Sequence, residues 1–341
     1  LLLSSSPHSC PPPLTANGRL LLRSAPPPPS GSGSRHRQCP RAMLASRAAA
    51  ASLLARRADK TLASSFASSA AMPSSSSLQG KDSPALKNGD AEPAPLAAGV
   101  ARLFTMRFCP FAQRVAIYLA KKGIRTEIAN VNLMAKPEWY FAKNPKGTVP
   151  TFELDGKVVF ESLIVTEYLD GVFPFSSILP ADDPYTRARQ RILVEQLSVI
   201  VGGYTGIFFA LKGGKTDAEI RDAIGKCIAA LDECEKLAAN NAPFFAGAAP
   251  GFPDYMIFPF FDRLWAMVTG VLPALRPALA DDVKQFTVAD FPGSAGWPRL
   301  TRWFDAAQRL EEVEASRQPH ATQVAFLKTY VAGAPDYDID V

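Results

Sequence analysis

Residues 106–114 read MRFCPFAQR, a cysteine followed at once by proline, with Ala112 where a second cysteine would stand three residues on. A cysteine at the head of a helix faces unpaired backbone N–H groups and the positive end of the helix dipole, and both favour thiolate over thiol. Such thiols have pKa values of about 3.5–7.5, against about 8.5 for an ordinary cysteine. Cys109 is therefore the candidate nucleophile, with a lowered pKa expected. Without a neighbouring thiol it cannot close a local disulfide, so its oxidised form must be resolved by a thiol from outside. Taken alone, Cys-Pro before a helix fits a buried structural cysteine equally well.

The elements around this turn set the context. Residues 100–106 read as a buried strand and 110–122 as a helix, with Pro110 in the first turn, where its missing N–H costs nothing, and Gly123 closing the end. A strand at 126–133 and a helical turn at 137–143 follow. Next, TFEL-DG-KVVF reads as a β-hairpin turning at Asp155–Gly156, and 162–171 reads as a helix. This β-α-β-α-β-β-α order is that of a thioredoxin-like domain, in which the first strand-to-helix turn carries the reactive cysteine. Beyond a linker at 174–182 the pattern is helical throughout. Asp183–Pro184 starts a stretch to 212, Thr216 to Glu219 forms a capping box for a helix to 239, and helices fit 253–271, 297–312 and 319–332. The expected fold class is α/β plus all-α: a thioredoxin-like domain at 88–178 and an all-helical domain at 183–335.

Three further features suit a γ-glutamyl peptide thiol, glutathione, as the outside thiol. A cis bond between Val149 and Pro150 would turn the Val149 N–H and C=O toward an extended peptide; the alternative is a trans proline opening a strand. Ser162 and its helix N-terminus can receive a carboxylate while Glu161 pairs with an ammonium, although the same residues could serve as a simple helix cap. Lys136 can hold a carboxylate at the other end, or be an ordinary surface lysine.

MRFCPFAQRVAIYLAKKGI, NLMAKPEWYFAKNPKGTVP and ESLIVTEYLD, continued by ILPADDPY, PGFPDYMIFPFFDRLWAM and PRLTRWFDA, resemble omega-class glutathione transferases over roughly 88–335, with nematode members nearest in flavour. The resemblance implies Cys109 as nucleophile, Lys136, Val149, Glu161 and Ser162 as glutathione contacts, and no metal. It implies reduction of mixed disulfides, dehydroascorbate and methylated arsenic acids in a cytoplasmic homodimer. Phe260, Arg263 and Tyr330 fall in the wall of the implied acceptor site for small electrophiles or disulfides. One departure concerns the central helix of the second domain, whose capping motif opens on Gly251 instead of Ser or Thr. Only its Asp254 half remains.

Composition bounds the alternatives. Of the 341 residues, 47% are apolar and the net charge is +5. Residues 1–87 are rich in Ser, Ala, Pro and Arg and read as a disordered tail or targeting extension. That segment holds eleven Lys and Arg against two Asp, which leaves −4 on the remainder and no electrostatic case for nucleic acid. The chain begins with Leu, so a fragment or over-extended translation is one reading. A start at Met43 would give an Arg- and Ser-rich mitochondrial leader, and a start at Met72 would remove it. Five irregularly spaced cysteines fit a reducing compartment. No uninterrupted apolar run is read as spanning a bilayer, since Asp262 and Arg263 interrupt the best candidate, 255–272. The competing reading is a membrane-inserting, chloride-channel-like relative of the same fold. Its insertion would use 99–120, which Arg102, Arg107 and Arg114 interrupt.

Overall fold

The computed structural model describes residues 77–238, 242–287 and 289–341. The leader expected from Met43 and the alternative start at Met72 lie outside the described residues.

Five strands form one mixed sheet in the order β1-β3-β2-β4-β5: β1 Leu78–Gln79, β2 Ala101–Thr105, β3 Thr126–Asn130, β4 Thr151–Leu154 and β5 Lys157–Phe160. β2 is parallel to β3 and antiparallel to β4, so it lies at the centre and every residue in it is buried. One of those residues is Arg102. Its guanidinium reaches Glu127 at 3.0 Å, Glu153 at 3.9 Å and the Ala94 carbonyl at 2.6 Å, which gives the buried charge the partners it needs. The β4–β5 hairpin turns at Asp155 (φ 48°) and Gly156 (φ 73°), the left-handed pair expected of an Asp-Gly turn.

Residues 77–87, assigned to the tail by composition, belong instead to the folded body. Leu78 pairs with Thr126, Leu86 bridges to Val131, and Leu78 and Ala85 are buried. Both segments add to the edge of the sheet that β3 leaves open.

Helices α1 (Pro110–Lys121), α2 (Tyr140–Lys143) and α3 (Ser162–Val172) complete this half. The second half is helical: α4 Pro184–Leu197, α5 Val199–Lys212, α6 Asp217–Leu237, α7 Phe252–Ala266, α8 Leu272–Leu275, α9 Pro298–Gln308, α10 Glu311–Ser316 and α11 His320–Val331. The Thr216–Glu219 capping box opens α6, with the Thr216 N–H donating to Glu219 at 3.0 Å and the Glu219 N–H to Thr216 Oγ1 at 3.3 Å. At the start of α7 only the carboxylate half of a box is present, as the sequence leads one to expect. Asp254 accepts the Gly251 N–H at 2.9 Å, and also the Phe245 and Ala246 N–H groups and the Trp303 indole.

Among the described residues two helical stretches, Pro184–Lys212 and Phe252–Leu275, are long and apolar enough by length and composition to cross a membrane. The second is 83% buried and forms the centre of the helical half. Cys227 and Cys234 are buried in the same core, where burial pushes each thiol up to about 12.

Candidate functional site

The strand register gathers the site. Thr105 pairs with Asn130, Phe104 with Thr151, and Thr151 with Phe160. The chain leaving these pairs therefore emerges at one end of the sheet, which carries the 106–109 turn, the loop to Lys136, the 149–150 peptide and residues 161–162.

Cys109 is the residue that precedes α1, extended at φ −75° and ψ 118°, with Pro110 taking the first helical position. The backbone N–H groups of Phe111 and Ala112 at the helix start and the guanidinium groups of Arg263 and Arg114 add positive potential around its sulfur. All of these favour thiolate. Yet only 9% of Cys109 is exposed, and desolvation outweighs them, so the thiol pKa is raised above its ordinary value. The lowered pKa expected from helix position alone is thus reversed by burial, which sequence does not display.

Both arginines are buried bridges. Arg114 Nε donates to the Met256 carbonyl at 2.7 Å and Nη1 to Ser162 Oγ at 3.3 Å, joining α1, α3 and α7. Burial pulls its pKa down to about 10. Arg263 donates from Nε to the Phe108 carbonyl at 3.1 Å, and from Nη1 to Gln113 and to Asp262, the latter at 2.8 Å. Asp262 in turn accepts from Arg317 at 2.6 Å and Gln323 at 2.5 Å. Arg263 therefore sits beneath the thiol turn at 1% exposure, fastened to the protein, instead of forming an open acceptor wall.

Lys136, Val149, Glu161 and Ser162, expected from the sequence as glutathione contacts, lie in the segments leaving this end of the sheet. Val149–Pro150 is cis, and among the described residues neither the Val149 N–H nor its C=O has a hydrogen-bond partner. The side chain of Lys136 runs against the Gly147 turn, and no carboxylate among the described residues lies in ion-pair range of it. Glu161 adopts φ 72° ahead of α3, a left-handed conformation costly for a residue with a Cβ and found chiefly where function requires it. Its carboxylate meets Lys146 Nζ at 2.7 Å. Ser162 opens α3 and is nearly buried.

Phe260 is wholly buried and packs edge-on to Phe111 at 5.0 Å, while Tyr330 is half-buried beside Phe208 and under the Lys212 ammonium. Phe111 at 41% exposure is the large aromatic that actually opens to solvent beside the thiol. Sequence reasoning missed Phe111, Arg114, Lys146 and Tyr204. The Tyr204 hydroxyl is buried within electrostatic range of Cys109 and Arg263, and burial raises its pKa. An arginine set directly before the apolar run VAIYLA of the thiol helix was the one signal available for Arg114.

Comparison with known proteins agrees with this geometry. Residues 108–172 match the model of the glutathione S-transferase N-terminal domain, and 217–306 that of the C-terminal domain. The chain is 40% identical over 265 residues to a probable glutathione transferase omega-2 of Caenorhabditis briggsae, covering 76% of this chain and 98% of that protein. It is 34% identical to the mouse glutathione S-transferase omega-1, covering 76% and 98% respectively. In fold it matches the crystal structure of glutathione transferase Omega 3C from Trametes versicolor, with a TM-score of 0.52, 24% identity, and coverage of 66% of this chain and 91% of that one. Its thioredoxin-like and all-helical halves, the thiol ahead of α1 and these relatives together establish that this chain belongs to the omega-class glutathione transferases.

Proposed function

We propose that this protein is a glutathione-dependent thioltransferase and dehydroascorbate reductase working through a mixed disulfide at Cys109, with methylarsonate as a further acceptor. The observation that carries the reading is the lone thiol ahead of α1, with Ala112 at the resolving position and the unpaired Val149 peptide at the same end of the sheet. Lys136 holds the glycyl carboxylate, Val149 pairs with the cysteinyl backbone, and Glu161 and Ser162 hold the γ-glutamyl ammonium and carboxylate. Phe260 and Tyr330 stand behind the acceptor site, and Arg263 supports the thiol turn.

In disulfide exchange the Cys109 thiolate attacks the glutathionyl sulfur of a mixed disulfide, and the S–S bond electrons leave with the substrate as its thiolate. A glutathione thiolate then attacks the enzyme-bound glutathionyl sulfur, forming oxidised glutathione and returning Cys109 as thiolate. A thiolate with a raised pKa is a minor species but the stronger nucleophile once formed. Dehydroascorbate takes up two electrons and two protons while two glutathiones become one oxidised glutathione. Catalytic conjugation would require glutathione to remain a separate thiolate, whereas Cys109 takes up a glutathionyl sulfur from a disulfide, releasing the other sulfur as a thiolate. We place the enzyme in the cytoplasm as a homodimer.

The test is the rate of glutathione-dependent reduction of a mixed disulfide and of dehydroascorbate by wild type and Cys109→Ser. Loss of both activities in the variant, by 100-fold or more, is expected. Retention of full reductase rates would contradict the reading.

A further inference from the structure

Glu161 is the carboxylate that the proposed reading assigns to the glutathione ammonium, yet it already has a cation. Lys146 Nζ lies 2.7 Å from Glu161 Oε1, and among the described residues no other cation is in ion-pair range of it. The placement of Lys146 is set by the chain. Its N–H donates to Asn144 Oδ1 at 3.1 Å, Gly147 N–H closes the same turn on the Asn144 carbonyl at 2.8 Å, and buried Asn144 is anchored through Thr148 and Thr151. Gly147 takes φ 62°, a left-handed conformation that suits glycine in this turn. Across it, the Glu161 backbone is fixed at φ 72° by the strand-to-helix junction.

We propose that Lys146 is an internal competitor for the ammonium site, so that glutathione binds by exchanging one ion pair for another. This rests on the reading of Glu161 as the ammonium partner. Two consequences follow from the exchange. Affinity is reduced by whatever the Lys146–Glu161 pair is worth, and both groups are substantially exposed (63% and 46%), so that worth is that of a surface pair. Salt sensitivity is also muted at this contact, because screening weakens the pair lost and the pair gained alike.

The experiment is calorimetric titration of reduced glutathione into wild type, Lys146→Met and Lys146→Arg at low and high salt. A glutathione analogue lacking the α-amino group serves as the control ligand. The expected result is about two- to five-fold tighter glutathione binding by Lys146→Met at low salt, with a steeper loss of affinity as salt rises. Lys146→Arg restores the wild-type constant, the amino-free analogue is indifferent to the Met substitution, and in turnover the gain appears in KM and not in kcat. Unchanged or weaker binding by Lys146→Met overturns the proposal while leaving the thiol chemistry standing. Wild type that binds no glutathione would overturn both.

Discussion

Arg114 Nη1 donates to Ser162 Oγ at 3.3 Å, so a cation rooted in the thiol helix touches the first residue of the helix proposed to hold the γ-glutamyl group. The same guanidinium holds the Met256 carbonyl of α7 at 2.7 Å. Arg114→Met keeps most of the volume but removes the buried charged donor shared by both oxygens. The expected loss is about 2–4 kcal/mol in urea unfolding, with a raised glutathione KM. A variant of wild-type stability and KM would show that the bridge is idle.

The raised thiol pKa has a direct kinetic signature. Alkylation by iodoacetamide follows thiolate, so the rate at Cys109 in the ligand-free protein should keep climbing with pH beyond the range of an ordinary thiol. The inflection should move higher still in Arg114→Met, because that cation favours the thiolate. An inflection near pH 6 would mean that the helix N-terminus outweighs burial after all.

Gly251 tests the capping rule against packing. Serine at a helix N-cap normally stabilises relative to glycine by a few tenths of a kcal/mol. Here a Cβ at 251 would lie 2.6 Å from the Cβ of Ala246, an atom fixed to the backbone. Gly251→Ser should therefore lower Tm, and Gly251→Ser combined with Ala246→Gly should recover it. A rise in Tm for the single variant would show that the Ala246 loop gives way freely.

Much of this molecule is legible in its sequence where chemistry is local. Asp155–Gly156 announces its turn, Thr216 and Glu219 their helix, and Pro110 and Pro184 the first turns of theirs. Elements fail where a tertiary partner decides. The strand expected over 126–133, β3, runs only to Asn130, because Asn132 Oδ1 accepts the Met134 and Ala135 N–H groups and bends the chain away. The stretch read as one helix over 297–312 breaks after Gln308 and resumes as α10, whose Glu312 is drawn inward by Tyr255 and Lys121. At the site, residue types on local turns were readable: Cys109, Val149, Glu161 and Ser162. Arg263 was misplaced because its partners, the Phe108 carbonyl and Gln113, lie about 150 residues away in the chain. Burial of the thiol is likewise a property of two halves packed together, and it reversed a pKa argued from one helix.

The measurement closest to the central claim is the intact mass of the protein after exposure to oxidised glutathione, for wild type and Cys109→Ser. A single glutathione adduct on wild type, absent from the variant and cleared by reduced glutathione, is the predicted result. An unmodified wild type, or an adduct that persists in Cys109→Ser, would contradict the monothiol mechanism.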